Sequence, residues 1–573
     1  MATRRSHTNT PVLIIGSGIS GICTAIDLIR RNKSHDFIIV EKGSQVGGTW
    51  NDNKYPGCCC DSMVPFLYLL YKAVFYLDPL VWSHLYSFSF DPNPDWSREY
   101  AGQEEILHYL VNVAQKWGLF QKIRFNTAVS EARWDDAEGL WKTQVQVTGD
   151  KEAEFGKEYT INSQYLVSAV GQLNVPSYPE LPNLDSFKGK VMHSARWDWS
   201  YPMDGKKIAV IGNGATAAQI IPELAKICNT LTVFQRTANW VVPKFNTEIS
   251  EIRRKAYRYI PGVRKAHRAK LMDIRETIYQ ASVVENSDAK AELKKMCLAL
   301  LEEHLPDNAE LQEKLIPSYP PGCKRIIMSD DFLSTLTQPQ VTLETHGIKH
   351  VTPSGIVVEG NTEHPVDVIV FATGFRTLEF MYPIKIYGKF GRSLANIWQS
   401  GTRAYLGMTV ESLPNFAMLY GPNTNLGHNS VILMVEAQSR YISAMISTVL
   451  KASIRGEKLE IMVKAEAMAY YNKDIQERLK LTSFANPACH SWYKAADGTV
   501  TNNWCGTVVE YQQRASNIDW SAYDMTGRGA GMANKEKKLH IGRVVEESQY
   551  AKLAFWAAPA IFAACMIKGF VTS

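Results

Sequence analysis

The chain lacks the marks of several protein classes. Its charge is almost balanced, with 62 Lys and Arg against 57 Asp and Glu in 573 residues, and no basic block is interleaved with aromatics. That argues against a nucleic-acid partner. Its ten cysteines show no paired C-x2-C zinc spacing, so no metal is expected, and the adjacent Cys58, Cys59 and Cys60 do not read as a disulfide framework. The thiols read as reduced, as in a cytoplasmic enzyme. The opening MATRRSHTNT is polar and has no apolar leader segment. At the other end, the run LAFWAAPAIFAACMI between Lys552 and Lys568 falls short of the roughly 20 residues that span a bilayer. It reads either as a last helix packed on the protein or, with its flanks (550–573), as a weak membrane anchor. What remains is an ordinary globular composition, 45% hydrophobic and 21% charged, long enough for two or more domains.

Two segments share one grammar of apolar strand, glycine turn and helix. In PVLIIGSGISGICTAIDLIRR, Gly16, Gly18 and Gly21 give G-x-G-x-x-G. The first glycine makes the turn, the second admits a pyrophosphate, and the third lets helix and strand pack closely. The next strand, FIIV, ends in Glu41, whose carboxylate suits ribose hydroxyls. In KKIAVIGNGATAAQIIPELAK, Gly212, Gly214 and Ala217 repeat the pattern, with Thr216 and Gln219 in the first helical turns, where side chains meet phosphates. Here the next strand, LTVFQR, ends in Arg236 and Thr237. A cation in place of the acid favours a 2′-phosphate, hence NADP over NAD.

The run FKGKVMHSARWDW between the two loops supplies Phe187, Gly189, His193, Trp197 and Asp198. It resembles the F-x-G-x-x-x-H-x-x-x-W-[P/D] fingerprint of Baeyer–Villiger monooxygenases, class B flavoprotein monooxygenases, here of fungal type. The resemblance spans roughly residues 10 to 515. It extends to the G-G-T-W of Gly47–Trp50, to Y-P-G at Tyr55–Gly57, to Asp61, and to VDVIVFATGF, of which YLVSAVGQLNVPSYP is a degenerate earlier counterpart.

The resemblance implies FAD at the first site and NADPH at the second. Gly48, Thr49, Trp50 and Asp52 would lie along the flavin, with Tyr86 and Val129 also touching FAD. Lys324 would reach the NADP 2′-phosphate, and Arg325, oriented by Asp61, would face the flavin. A fixed guanidinium suits this chemistry because both an anionic flavin C4a-peroxide and the oxyanion made by its attack on a carbonyl need a cation that keeps its proton. The resemblance also places His193 in the catalytic set, where with Trp197 it would act as the pivot between the nucleotide domains rather than as an acid or base. Family members often carry an arginine between Y-P-G and the aspartate, where this chain has three cysteines.

The family pattern also leaves one or two residues between Asp61 and Ser83. This chain has SMVPFLYLLYKAVFYLDPLVW there, apolar where a connection is normally polar. Residues 62–81 read as a translated intron: Ser62-Met63 can encode a GTATG donor and Leu80-Val81 a TAG acceptor, in frame.

The expected fold is α/β, two Rossmann-like domains with a helical insertion in the NADP one. Residues 8–175 and 372–540 form the FAD domain, 176–244 and 321–371 the NADP domain, 245–320 the helical insertion, and 541–573 an apolar tail. The expected function is NADPH- and O2-dependent oxidation of a ketone or aldehyde to an ester or lactone, in secondary metabolism. An N- or S-oxygenating flavin monooxygenase and a flavin-binding protein inactivated by the insert are the alternatives. A disulfide reductase is excluded, because no C-x2-C or C-x4-C lies near the flavin segment. Sequencing the transcript checks the intron: the spliced message lacks the codons for the intrusion, and a message that retains them refutes the reading.

Overall fold

In the computed structural model, residues 8–61, 82–149, 156–533 and 537–547 are described. The intrusion at 62–81 and most of the C-terminal tail, including the run between Lys552 and Lys568, lie outside them. Among the described residues no helix is long and apolar enough to cross a membrane.

Two sheets carry the two glycine turns. In the first, the strand Asn9–Ile15 lies between Ile38–Val40 and Glu158–Ser168, parallel to both. An antiparallel pair, Thr127–Asp135 with Leu140–Val147, extends it, and Phe416–Met418 returns late in the chain to pair with Glu158–Ser168. The second sheet is wholly parallel, in the order Val341–Glu344, Thr230–Phe234, Lys207–Ile211, Val368–Phe371, Lys190–His193. Its inner strands are apolar along most of their length because helices or loops cover both faces. Four helices, Glu251–Tyr259, Val263–Ser282, Asp288–His304 and Ala309–Leu315, fill the stretch expected to be helical. Ser250, Ser287 and Asn308 cap three of them through their side chains, the residue types that best satisfy free N–H groups at a helix start.

The two turns are near copies. Gly16 has φ +102° and Gly212 φ +113°, and a Cβ on either would stand 2.6 Å from a carbonyl oxygen, that of Ala169 or Ala372. Those alanines open the A-V-G and A-T-G segments, and their N–H groups donate to Ile15 and Ile211 at 2.8 and 2.9 Å. YLVSAVG and VIVFATG are thus equivalent strands, each closing down on its own glycine turn.

The thiol reading needs one correction. Cys323 and Cys489, 166 residues apart, form a buried disulfide with a Cα–Cα distance of 5.9 Å. Only the tertiary fold brings them together, so no spacing in the sequence announces the pair. Cys23, Cys58, Cys59, Cys60, Cys228, Cys297 and Cys505 are free.

The long helix Val431–Ile454 packs on Ile19–Asn32, where Ser439 Oγ donates to Asp27 at 2.8 Å. One turn earlier, the buried Glu436 accepts from Ser89 N–H at 2.6 Å and Ser89 Oγ at 2.7 Å. Burial pushes its pKa up to about 7, against the opposing pull of Ser89 and Arg268. A carboxyl group that binds its proton more tightly when folded stabilises the fold at low pH. That contribution fades as pH rises from its ordinary value through about 7. Glu436→Gln is therefore expected to raise the melting temperature at pH 8 and much less at pH 5, with a ceiling of about 3 kcal/mol. Thermal melts at the two pH values check it.

Candidate active site

At the first turn, Gly18 and Gly48 pass in contact, since a Cβ on Gly48 would lie 3.0 Å from Gly18 Cα. The helix Ile19–Asn32 starts at Gly18 with no side-chain cap, so its first N–H groups are left for an anion. Glu41, at the end of the neighbouring strand, accepts from Ser17 N–H and Oγ at 2.8 and 2.9 Å through Oε2. It accepts from Gly43 N–H at 2.8 Å through Oε1. Three of its roughly four acceptor positions are occupied, which leaves room for one ribose hydroxyl unless Ser17 Oγ turns away. Trp50 Nε1 donates to Tyr86 OH at 3.1 Å with the rings edge to face, so these two expected flavin residues form one unit. Thr49 Oγ1 is bonded by Asn53 Nδ2 at 3.0 Å. Asp52 accepts from Asn174 Nδ2 at 2.5 Å, and Asn174 in turn accepts from Lys42. Val129 is a buried strand residue beside a bulge, paired with Val145.

The second turn offers a matching cradle. Helix Ala215–Ala225 starts at Gly214 without a side-chain cap, and a Cβ on Gly214 would meet nothing within 4 Å. Thr216 is half-buried in its first turn. Gln219 is placed differently from the phosphate role expected of it. Its Oε1 accepts from Tyr55 OH at 3.0 Å and from Cys59 N–H at 3.4 Å, while its Nε2 donates to Cys59 O at 3.3 Å. Both ends of the amide are committed to the Y-P-G loop of the other nucleotide region. Thr237 contributes its carbonyl to Asn213 Nδ2 at 2.9 Å.

Arg236 is exposed at the mouth of this turn, and Lys324 lies close enough to feel its charge. Burial, then Arg236, lowers the Lys324 pKa. Among the described residues no carboxylate pairs with either, and Lys324 Nζ rests 4.7 Å from the centre of the Tyr319 ring. Two like charges held together without an anion fit a dianionic phosphate placed between them.

Arg325, the next residue, turns the other way. It donates to the Asp61 carboxylate at 2.7 Å and to the Asp61 carbonyl. Burial works against its charge, but Asp61, with Tyr493, Cys60 and Tyr420 nearby, holds its pKa above the usual value. The two residues are far apart in sequence and come from the Y-P-G loop and from the loop that follows the four helices.

The fingerprint run proves to be mostly architecture. A Cβ on Gly189 would stand 2.3 Å from Asp367 O and 2.5 Å from the Phe187 ring, so the glycine is where that ring folds over the chain. His193 ends the edge strand opposite Phe371, just before the A-T-G turn. Its Nδ1 accepts from Ala195 N–H at 3.1 Å, which leaves the proton on Nε2, 3.4 Å from Thr373 Oγ1. Burial, then Arg196, lowers its pKa to about 4, so the ring is neutral at neutral pH. Asp198 pairs with Lys190 at 2.5 Å and Trp199 Nε1 donates to Lys54 O at 2.8 Å, tying the run to the segment before Tyr55. Sequence reasoning missed Lys244, whose Nζ lies 2.7 Å from Cys59 Sγ, and Asn174. The only signal for Lys244 was a deficit, the missing arginine before Asp61.

Comparison with known proteins agrees with this geometry. The family model described as flavin-binding monooxygenase-like matches residues 9–253. The FAD-binding monooxygenase ktnD of Aspergillus niger is 46% identical, covering 97% of this chain and 88% of its own. A Baeyer–Villiger monooxygenase of Streptomyces coelicolor is 37% identical, covering 91% and 93%. A closed crystal structure of cyclohexanone monooxygenase superposes with a TM-score of 0.75 at 25% identity, covering 91% of this chain and 100% of that one. The chain belongs to the flavin-binding monooxygenases and, within them, to the Baeyer–Villiger monooxygenases.

Proposed function

We propose that the protein is an FAD-dependent, NADPH- and O2-consuming monooxygenase that converts a ketone or aldehyde to an ester or lactone, with Arg325 as its central catalytic residue. The observation that carries this is the Asp61–Arg325 ion pair, a proton-holding cation bound to the Y-P-G loop that Gln219 of the second nucleotide helix also grips. The likeness to Baeyer–Villiger monooxygenases, and to structures such as a steroid monooxygenase bound to NADP at a TM-score of 0.74, supports the same reading. A tailoring role in secondary metabolism rests on the likeness to the Aspergillus relative. A cytoplasmic location belongs to the proposal; the seven free cysteines among the described residues support it and the Cys323–Cys489 disulfide weighs against it. The membrane contact considered for residues 550–573 falls outside the described residues, among which no helix is long and apolar enough to cross a membrane.

FAD, when bound, supplies the reducible ring that activates O2, and NADPH supplies the hydride. The residues do the rest. Glu41 and the helix start at Gly18 would hold the first dinucleotide, and Thr49, the Trp50–Tyr86 unit and Asp52 would line its site. Gly212, Gly214, Thr216 and Thr237 shape the second site, where Arg236 and Lys324 would clamp the 2′-phosphate. Arg325 stabilises the negative charge that develops on the substrate oxygen, and Asp61 keeps the guanidinium aimed. His193, neutral and buried between the edge strand and the A-T-G turn, serves as the pivot between an FAD part (8–175, 372–540) and an NADP part (176–244, 321–371) that carries the helices of 245–320.

The reading as a protein disabled by its insert is disfavoured by two observations. Asp61, directly before the intrusion, makes its ion pair with Arg325, and Tyr86, shortly after it, bonds Trp50. Arg325→Ala is expected to leave flavin reduction by NADPH intact while ester formation falls by about a hundredfold or more. Stopped-flow reduction and product analysis with a cyclic ketone and a thioether check it. Ester at the normal rate overturns the role of Arg325, and sulfoxide as the sole product overturns the Baeyer–Villiger assignment.

A further inference from the structure

The loop that delivers Asp61 is held from two sides. Gln219 grips the Cys59 backbone from one of them. From the other comes Lys244, just past the short strand Val241–Val242, with Nζ 2.7 Å from Cys59 Sγ. Lys244 is only 8% exposed. An ammonium has three N–H donors, yet among the described residues its hydrogen-bond partner is this thiol, with the Tyr100 ring centre at 5.5 Å. Burial opposes its charge, but Cys59, Asp61 and Cys60 outweigh burial and keep its pKa above the ordinary value.

The backbone here is fixed as firmly as the side chain. Lys244 N–H and Phe245 N–H donate to Asp330 Oδ1 at 2.7 and 2.9 Å, and Asp330 lies on the segment that runs on from Arg325. Lys244 therefore touches both strands of chain that build the ion pair, the one before Asp61 and the one after Arg325. A buried cation is expensive to keep and is retained where it has an anionic field to answer. Here Cys59 answers it first, through the contact at Sγ, and Asp61 adds to the field.

We propose that Lys244 is a positioning residue for the Asp61–Arg325 pair, supplying from the opposite side of the loop the cation that Cys58-Cys59-Cys60 lacks. The proposal rests on the functional reading above. Lys244 touches no reacting atom in this account. It holds Cys59, and through it the approach of Asp61 to Arg325, so its loss should misplace the guanidinium without emptying either nucleotide site.

The test uses FAD-loaded enzyme carrying Lys244→Met, Lys244→Arg and the double change Cys59→Arg/Lys244→Met. Ester formed, NADPH consumed and hydrogen peroxide released are measured together. Lys244→Met is expected to lower kcat for ester by about tenfold or more, as a misplaced catalytic group does, with KM for NADPH nearly unchanged. Peroxide per NADPH should rise. Lys244→Arg should stay coupled, and Cys59→Arg should restore coupling by returning the charge from the other side. A Lys244→Met enzyme with normal kcat and coupling overturns the proposal, as does a double variant no better than Lys244→Met. If Lys244→Met fails to hold FAD, Lys244→Gln keeps a donor toward Cys59 without the charge, and a coupled Lys244→Gln overturns it equally. Arg325→Ala, run alongside, separates the two readings. Normal ester from that variant removes the arginine role, whereas a dead Arg325→Ala beside a fully coupled Lys244→Met removes only Lys244.

Discussion

One ion pair sets the terms for the rest of the molecule. Arg325 and Asp61 meet at 2.7 Å although the first sheet and its loop supply one partner and the chain leaving the helical segment supplies the other. A guanidinium in a partly closed site is costly to desolvate, and a single carboxylate offsets that cost only if its geometry is fixed. Much of the surrounding structure fixes it. Gln219 crosses from the second nucleotide helix to the Cys59 backbone, Gly57 abuts the carbonyl of Gln219 so closely that a Cβ would lie 2.4 Å away, and Lys244 closes the far side.

The same economy appears in the two nucleotide turns. Each brings a left-handed glycine under the carbonyl of an alanine that opens the returning strand, Gly16 under Ala169 and Gly212 under Ala372. The copies differ where chemistry differs. Glu41 closes the first and is largely saturated by Ser17 and Gly43, whereas Arg236 and Lys324 close the second and find no carboxylate among the described residues. His193 sits at the hinge of the second copy as a neutral ring, bonded through Ala195 and Thr373. Its environment favours a residue that holds strands together over one that trades protons.

The fold was legible in the sequence because its signals are local. An apolar strand, a glycine turn and a helix lie within one short stretch, and the residue ending the next strand reports which ribose it meets. The Asp61–Arg325 pairing was legible only through family resemblance, since nothing local links a Y-P-G loop to a distant Lys-Arg. Besides Asn174, three features were not legible. The Cys323–Cys489 bond joins residues with no spacing pattern, Gln219 looked like a phosphate ligand because helical register cannot say which way a side chain leaves the turn, and Lys244 sat in an unremarkable V-V-P-K. Each depends on which segments meet in space, and periodicity carries no information about that.

The central claim is that Asp61 acts through Arg325 as one unit. A double-mutant cycle on kcat/KM for ester formation, using Asp61→Asn, Arg325→Lys and both together, measures it most directly. The account predicts that the double variant is no slower than the slower single variant. Losses that multiply would show the two residues acting independently and would contradict it.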